Sequence, residues 1–161
     1  MAAQAIGNAI TVRSLWDPAR MMAVILPQDE PLRSTISQFA SDPSLRAIFL
    51  VDSHQRFAGA INRHDLLKWA RVQLGGRGVA GSGVPDFLHH LAATKARDIA
   101  QGDWRSLGVK PEDPIDRALD HMLSFDLTAI PVLDHDGKVL GDIRLSQVLS
   151  AILERTDGAG A

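Results

Sequence analysis

Apolar residues recur along the chain in two matching series of short runs and amphipathic stretches. In the first series, an apolar run at 24–26 precedes a stretch over 31–41 with apolar residues at helical spacing. In the second, a run at 107–109 precedes a similar stretch over 114–124. Two further apolar runs and a closing amphipathic stretch follow each time. Helical spacing predicts helices with one apolar face, and short runs between turn residues predict strands. Each half of the chain therefore predicts the order strand, helix, strand, strand, helix.

The two series align as an internal repeat. AIFLVD at 47–52 aligns with AIPVLD at 129–134, and in the same register GAINRHDLL at 59–67 aligns with GDIRLSQVL at 141–149. Asp136-Gly137 between two apolar runs is a strong hairpin signal. The matches occur in the same order within a shared pattern of elements, so we interpret them as one unit present twice.

The repeat predicts how the chain is divided. The first copy is expected at 12–74 and the second at 95–154, joined by a Gly-rich linker and short helix at 75–94. Residues 155–161 are expected to form a frayed tail. One copy of this size has a marginal core, whereas two copies packed about a pseudo-twofold axis would bury much more apolar surface. The predicted fold class is α+β.

Composition and charge restrict the kinds of function. With 45% hydrophobic and 22% charged residues, the chain is typical of soluble globular proteins. A net charge of −2 and few aromatic residues argue against nucleic-acid binding. The absence of cysteine excludes disulfides, thiolate zinc sites and cysteine nucleophiles. No run approaches the roughly 20 apolar residues of a membrane-spanning helix, and no signal peptide is evident, so a cytoplasmic location is expected.

The order of elements, and the step from glycine to acid at 59–65, resemble the CBS domain. Two copies in tandem resemble a CBS pair, or Bateman module, over residues 12 to 154. KARDI at 95–99 and IPVLD at 130–134 are further points of resemblance. The resemblance implies a regulatory module that binds AMP, ADP, ATP or S-adenosylmethionine in the cleft between repeats. It also implies a homodimer that passes ligand occupancy to a regulated protein or domain. No enzymatic activity and no required cofactor are expected. The alternative is a CBS-type dimerisation or interaction module without ligand.

The resemblance, together with the chemistry of the side chains, indicates candidate ligand-binding residues. They are Ile61, Asn62, Arg63, Asp65, Arg144 and Gln147. Asp65 matches the ribose-binding acid of the family, and a carboxylate can accept hydrogen bonds from two ribose hydroxyls. Asn62 stands where the family usually has threonine or serine. A bare glycine would let an adenine lie close to the strand, and a helix start favours phosphate. The second repeat has Arg144 and Gln147 at the corresponding positions, so the first repeat is the expected site.

Structural interpretations of the same residues stay open. Asn62 and Asp65 also form a typical helix start. Arg144 is most simply a solvated charge, and the alternatives are a phosphate contact or a side chain that fills the second cleft. Trp16, Trp69 and Trp104 are expected to be packing or interface residues rather than base-stacking ones, and Trp104, in the lead-in to the second repeat, could border a cleft.

The remaining motifs do not support a dinucleotide site, a metal site or a catalytic site. GRGVAG at 76–81 matches the dinucleotide fingerprint GxGxxG, which requires a preceding strand, whereas the repeat predicts a helix at 65–74. The six histidines show no metal-ligand spacing, and no nucleophile or carboxylate pair stands in a catalytic motif. Neither a metal site nor catalysis is expected.

Overall fold

The computed structural model describes residues 10–75, 88–89, 91–100 and 104–158. The GxGxxG motif and most of the predicted linker and its short helix lie outside these residues. In chain order the elements are α1 (Val12–Leu15), β1 (Val24–Pro27), α2 (Leu32–Ser41), β2 (Ile48–Val51), β3 (Phe57–Ile61), α3 (Arg63–Gln73), α4 (Ala96–Ile99), a 3₁₀ helix (Trp104–Ser106), α5 (Ile115–Phe125), β4 (Ala129–Leu133), β5 (Val139–Arg144) and α6 (Leu145–Gly158).

These elements form two compact units. Val24–Arg105 forms one, called the first-repeat unit, and Met1–Ala23 together with Ser106–Ala161 forms the other, called the second-repeat unit. Residues 65–73 are helical, as the repeat predicts, so the strand that a dinucleotide fingerprint requires is not there. Within the described ranges, no helix combines the length and apolarity needed to cross a bilayer.

The first-repeat unit is a three-stranded sheet with helices. β1 runs parallel to β2, and β2 pairs with β3 in antiparallel fashion, giving the order β1-β2-β3. Helix α2 connects the two parallel strands, because a parallel pair needs a crossover connection. The core consists of Leu32, Leu45, Ile48, Leu50, Ile61, Ala96 and Ile99. β2 is buried along its whole length, which explains its uninterrupted apolar sequence IFLV.

The hairpins of the two units have the same register. Leu50 lies opposite Gly59 in the first, and Val132 lies opposite Gly141 in the second. Both hairpins shift register at the residue that follows this pair. A slip by one residue would turn every side chain to the other face of the sheet, so the buried face specifies the pairing. The predicted equivalence of the hairpins at 47–62 and 129–144 is confirmed.

Turns and helix starts also correspond between the units. Gln55 and Gly137 occupy the same turn position, and both have left-handed backbones, with φ of 63° and 84°. Pro31 and Pro114 are the N-cap residues of α2 and α5, so each helix begins one residue after the start of the stretch predicted at 31–41 or 114–124.

Two predicted boundaries are wrong. The strand expected at 107–109 is reduced to an isolated parallel bridge between Val109 and Val132. Pro111, which has no N–H, follows closely and cannot extend such pairing. Helix α6 continues to Gly158, beyond the end predicted at residue 154. Its last turn contains no proline, so nothing in the local sequence terminates it earlier.

In each unit, a short segment that is distant in the sequence pairs with the strand-helix-strand-strand-helix part. Backbone hydrogen bonds of 2.8 to 3.0 Å join residues 10–13 to residues 111–115 in the second-repeat unit. Hydrogen bonds of 2.9 to 3.0 Å join residues 94–97 to residues 28–32 in the first-repeat unit. The four-residue helices α1 and α4 therefore hold equivalent places in the two units.

Candidate functional site

The first-repeat unit has a capped helix start directly after β3. Oδ1 of Asn62 accepts a hydrogen bond from the backbone N–H of Asp65 at 3.0 Å. Oδ2 of Asp65 accepts one from the backbone N–H of Asn62 at 2.9 Å. Asn62 is 9% exposed and Asp65 is 4% exposed. The reciprocal bonds satisfy two N–H groups at the helix start and confirm the predicted cap. They also hold a carboxylate at the positive end of the α3 dipole.

The other two candidates in this unit differ in exposure. Ile61 is the last residue of β3 and is fully buried in the core of the unit. Arg63 is the first residue of α3 and is exposed. The helix start thus combines a buried carboxylate and amide with a solvent-exposed cation.

Two side chains lie over the glycine of β3. A Cβ added to Gly59 would lie 3.4 Å from Cδ1 of Trp104 and 3.7 Å from the Cβ of Ala100. Both are ordinary contact distances. Trp104 is only 7% exposed, in agreement with its predicted packing role. Ala100 is the C-cap residue of α4. The bare strand expected beside the helix start is therefore bordered by one small side chain and one indole.

The second-repeat unit uses the corresponding positions differently. Oε1 of Gln147 accepts a hydrogen bond from the backbone N–H of Arg144 at 2.9 Å, as Asp65 does from Asn62. The Gln147 amide has a further contact, because its Nε2 donates to the backbone carbonyl of Leu15 at 3.2 Å. Gln147 therefore binds the last residue of helix α1.

Arg144 contacts residues that follow α1. Its guanidinium donates to the carbonyl of Arg20 at 3.4 Å and also contacts Sδ of Met22. Nε of Arg144 lies 3.6 Å from Oδ2 of Asp142. With only 19% of its side chain exposed, Arg144 is not the solvated charge that one interpretation of the sequence expected.

Asp142 is a polar residue of this site that sequence reasoning missed. It is 2% exposed, and its Oδ1 accepts a hydrogen bond from the backbone N–H of Met22 at 3.1 Å. Burial raises the pKa of the Asp142 carboxyl, while the Met22 hydrogen bond and the charge of Arg144 act in the opposite direction. The sequence feature that could have identified Asp142 is its difference from Ala60, which occupies the same position of the first hairpin.

Trp16 lies against the glycine of the second hairpin. A Cβ added to Gly141 would lie 2.6 Å from Nε1 of Trp16, closer than two such atoms can approach. Trp16 is the C-cap residue of α1, the place that Ala100 holds at the end of α4. The predicted packing role of Trp16 is confirmed, but its position over this glycine was not evident from the sequence.

These side chains can form hydrogen bonds and ion pairs with a ligand. The first-repeat unit supplies hydrogen-bond acceptors, an amide donor and a cation at a helix start. In the ranges that the structure describes, no group of three or more His, Asp and Glu side chains is arranged to hold a metal ion.

Comparisons with known proteins identify the fold. Residues 104–154 match the family model of the CBS domain. A search of curated proteins found no match. Among solved structures, a CBS domain-containing protein from Thermotoga maritima has a TM-score of 0.72 at 19% identity, covering 90% of this chain and 95% of its own.

Two similar structures contain adenosine compounds. CBSX2 in complex with AMP has a TM-score of 0.65 at 16% identity, covering 91% of this chain and 98% of its own. The CBS domain pair of protein MJ0100, in complex with 5′-methylthioadenosine and S-adenosyl-L-methionine, has a TM-score of 0.62 at 11% identity and covers 91% of this chain and 98% of its own. This chain thus has the α+β fold of a tandem CBS domain pair, as the resemblance predicts.

Proposed function

We propose that the first-repeat unit binds an adenosine-containing ligand at the start of α3 and that the chain is a non-enzymatic regulatory module. The observation that carries this proposal is the carboxylate of Asp65, held at the helix N-terminus by the backbone N–H of Asn62. A carboxylate has acceptor positions for both hydroxyls of a ribose, and such charge-assisted hydrogen bonds are strong. AMP, ADP, ATP and S-adenosylmethionine all carry this diol.

The surroundings of Asp65 suit the rest of such a ligand. Exposed Arg63 supplies a positive charge for a phosphate or carboxylate, and the dipole of α3 favours a negative group at the same end. The base would lie near Gly59, where Ala100 and the edge of the Trp104 indole border the strand. An indole edge and an adenine make a favourable aromatic contact.

Two structures of the same fold support an adenosine ligand. One contains AMP, and the other contains 5′-methylthioadenosine and S-adenosyl-L-methionine. The adenine base and the ribose ring with its 2′ and 3′ hydroxyls are common to these three molecules. A site that binds adenine and ribose would therefore be sufficient to hold the shared part of all three ligands.

The burial of Asp65 connects binding to regulation. Because Asp65 is 4% exposed, a ribose reaches its carboxylate only when covering side chains move. Ligand binding then favours the moved arrangement, and a partner protein or domain that distinguishes the two arrangements senses occupancy.

A ligand-free interaction module is the second candidate. It is favoured by the capping bonds between Asn62 and Asp65, which give both residues a structural role without ligand. Exposed leucines on three helices also suit protein contacts; they are Leu67, Leu123, Leu149 and Leu153.

Thermal unfolding with a panel of AMP, ADP, ATP and S-adenosylmethionine tests the proposal. A ligand at 100 times its Kd stabilises the folded state by roughly 2.7 kcal/mol. For a chain of this length we expect the Tm to rise by roughly 5–10 °C, since 1 kcal/mol moves it by about 2–4 °C. If none of the four binds more tightly than millimolar in calorimetry, the ligand-free module replaces the sensing function.

The chain is also proposed to form a homodimer. The leucines on α3, α5 and α6 leave apolar helix surface exposed, with Leu123 at 82% and Leu67 at 68%. Light scattering at micromolar concentration is expected to give twice the 17.4 kDa mass of the chain. A mass of one chain under these conditions would contradict the dimer.

A further inference from the structure

The second-repeat unit repeats the geometry of the candidate site, and a segment of the same chain lies in it. This segment is residues 15–22, called the N-terminal segment. It contacts Gly141, Asp142, Arg144 and Gln147. Three of these positions align with Gly59, Asn62 and Asp65 of the first-repeat unit.

One of these contacts is between two uncharged residues. Nε1 of Trp16 lies 2.6 Å from where a Cβ of Gly141 would be, so the indole touches the strand backbone. In the first-repeat unit the equivalent residue is Ala100, and its Cβ lies 3.7 Å from where a Cβ of Gly59 would be. At the residue that ends the short helix, the first-repeat unit therefore has a methyl group and the second-repeat unit has an indole, although Trp104 of the first-repeat unit also lies 3.4 Å from where a Cβ of Gly59 would be.

Three polar side chains bind the main chain or sulfur of the N-terminal segment. Gln147 donates to the Leu15 carbonyl at 3.2 Å, and Asp142 accepts from the Met22 N–H at 3.1 Å. Arg144 donates to the Arg20 carbonyl and contacts the Met22 sulfur. Polar groups that would otherwise be available to a ligand are engaged by the segment.

The polar contacts are incomplete. Nε1 of Trp16 is buried without a hydrogen-bond partner among the residues that the structure describes. Nε of Arg144 and Oδ2 of Asp142 form no hydrogen bond there either, but they lie 3.6 Å apart as a buried ion pair. The unpaired indole N–H reduces stability, so the segment is held by the other contacts.

We infer that the N-terminal segment is the built-in occupant of the second repeat's site, with Trp16 as its anchor, and that a small ligand binds in the first-repeat unit instead. Trp16 and Ala100 are then the residues that determine which repeat binds. The part that concerns nucleotide rests on the proposed function, whereas the docking of the segment does not.

Hydrogen exchange by NMR tests the docking without any ligand. In the Trp16→Ala chain, the amide of Met22, which donates to Asp142, should exchange at least roughly tenfold faster than in the wild type. The amides of β4 should keep their protection. Ser14→Ala, at an exposed position of α1, is the matched control and should leave Met22 unchanged.

An unchanged Met22 amide in Trp16→Ala would overturn the inference. If β4 loses protection equally, the whole unit is opening, and Gln147→Glu decides instead. An ionised glutamate can still accept from the Arg144 N–H but cannot donate to the Leu15 carbonyl. Faster exchange at Met22 with a protected β4 supports docking in that variant, and an unchanged Met22 overturns it.

Calorimetry with AMP tests which repeat binds. The wild-type chain should bind one AMP, and Ala100→Trp should weaken that binding at least roughly tenfold by placing an indole beside Gly59. If tryptophan prevents folding, Ala100→Met replaces it.

The inference would be refuted by two AMP molecules per wild-type chain, or by wild-type affinity in a folded Ala100 variant. Neither result would contradict the proposed function. No AMP binding at all would refute the proposed function, and the exchange experiment would still decide the docking.

Discussion

Asp65→Ala is expected to weaken AMP binding by roughly ten- to a hundredfold. The change removes a charged acceptor that could bind two ribose hydroxyls, and hydrogen bonds to charged groups contribute about 1.5–3 kcal/mol. It also removes the acceptor for the Asn62 N–H, so the free energy of unfolding should fall by about 0.5–2 kcal/mol. Calorimetry on the folded variant measures the affinity, and chemical denaturation measures the stability.

Asp65→Asn separates the two effects. An asparagine oxygen can still accept from the Asn62 N–H, so we expect most of the cap to remain while the charge is lost. Affinity should then fall although stability changes little. Asp113→Asn is the matched control, because its Oδ2 likewise accepts a backbone N–H, from Lys110 at 2.8 Å, but in the other unit. If Gln147→Ala abolishes binding and Asp65→Ala does not, the ligand binds in the second repeat.

Gly141→Ala is expected to destabilise the protein by about 1–3 kcal/mol, the usual cost of an added methyl in a well-packed region. The reason is the position of Trp16, whose Nε1 would lie 2.6 Å from the new Cβ. The indole is rigid and has to move as a whole, which disturbs its contact with the strand. Equilibrium denaturation in urea measures the change.

Gly59→Ala is the matched comparison, because Gly59 has the same register position in the first hairpin. Its new Cβ would meet Trp104 at 3.4 Å, an ordinary contact, so the change in stability should stay within about 1 kcal/mol. In a Trp16→Ala background, Gly141→Ala should lower the free energy of unfolding by much less, because both substitutions act on the same contact. Equal costs for the two glycine variants would show that the indole does not restrict Gly141.

Local patterns in the sequence were sufficient to predict the repeat, its hairpins and the helix start at 62–65. AIFLVD and AIPVLD specify the same pairing because strand side chains alternate and only one register buries the apolar set. Asn62 and Asp65 are three residues apart, and their capping contacts depend on that spacing alone. The weaker predictions concerned ends of elements, such as the bridge at Val109 and the extension of α6 to Gly158, where neighbouring contacts outweigh local preference.

The sequence by itself thus determined the α+β class, the two hairpins in one register and the carboxylate at the start of α3, because each depends on residues close together along the chain. Only the tertiary structure decided what lies against each hairpin glycine, Trp16 at Gly141 and Ala100 with Trp104 at Gly59. The same holds for Asp142, which binds the Met22 N–H across 120 positions of sequence. Periodicity and local spacing carry no information about such distant pairs, which form only when the folded chain brings both partners to one surface.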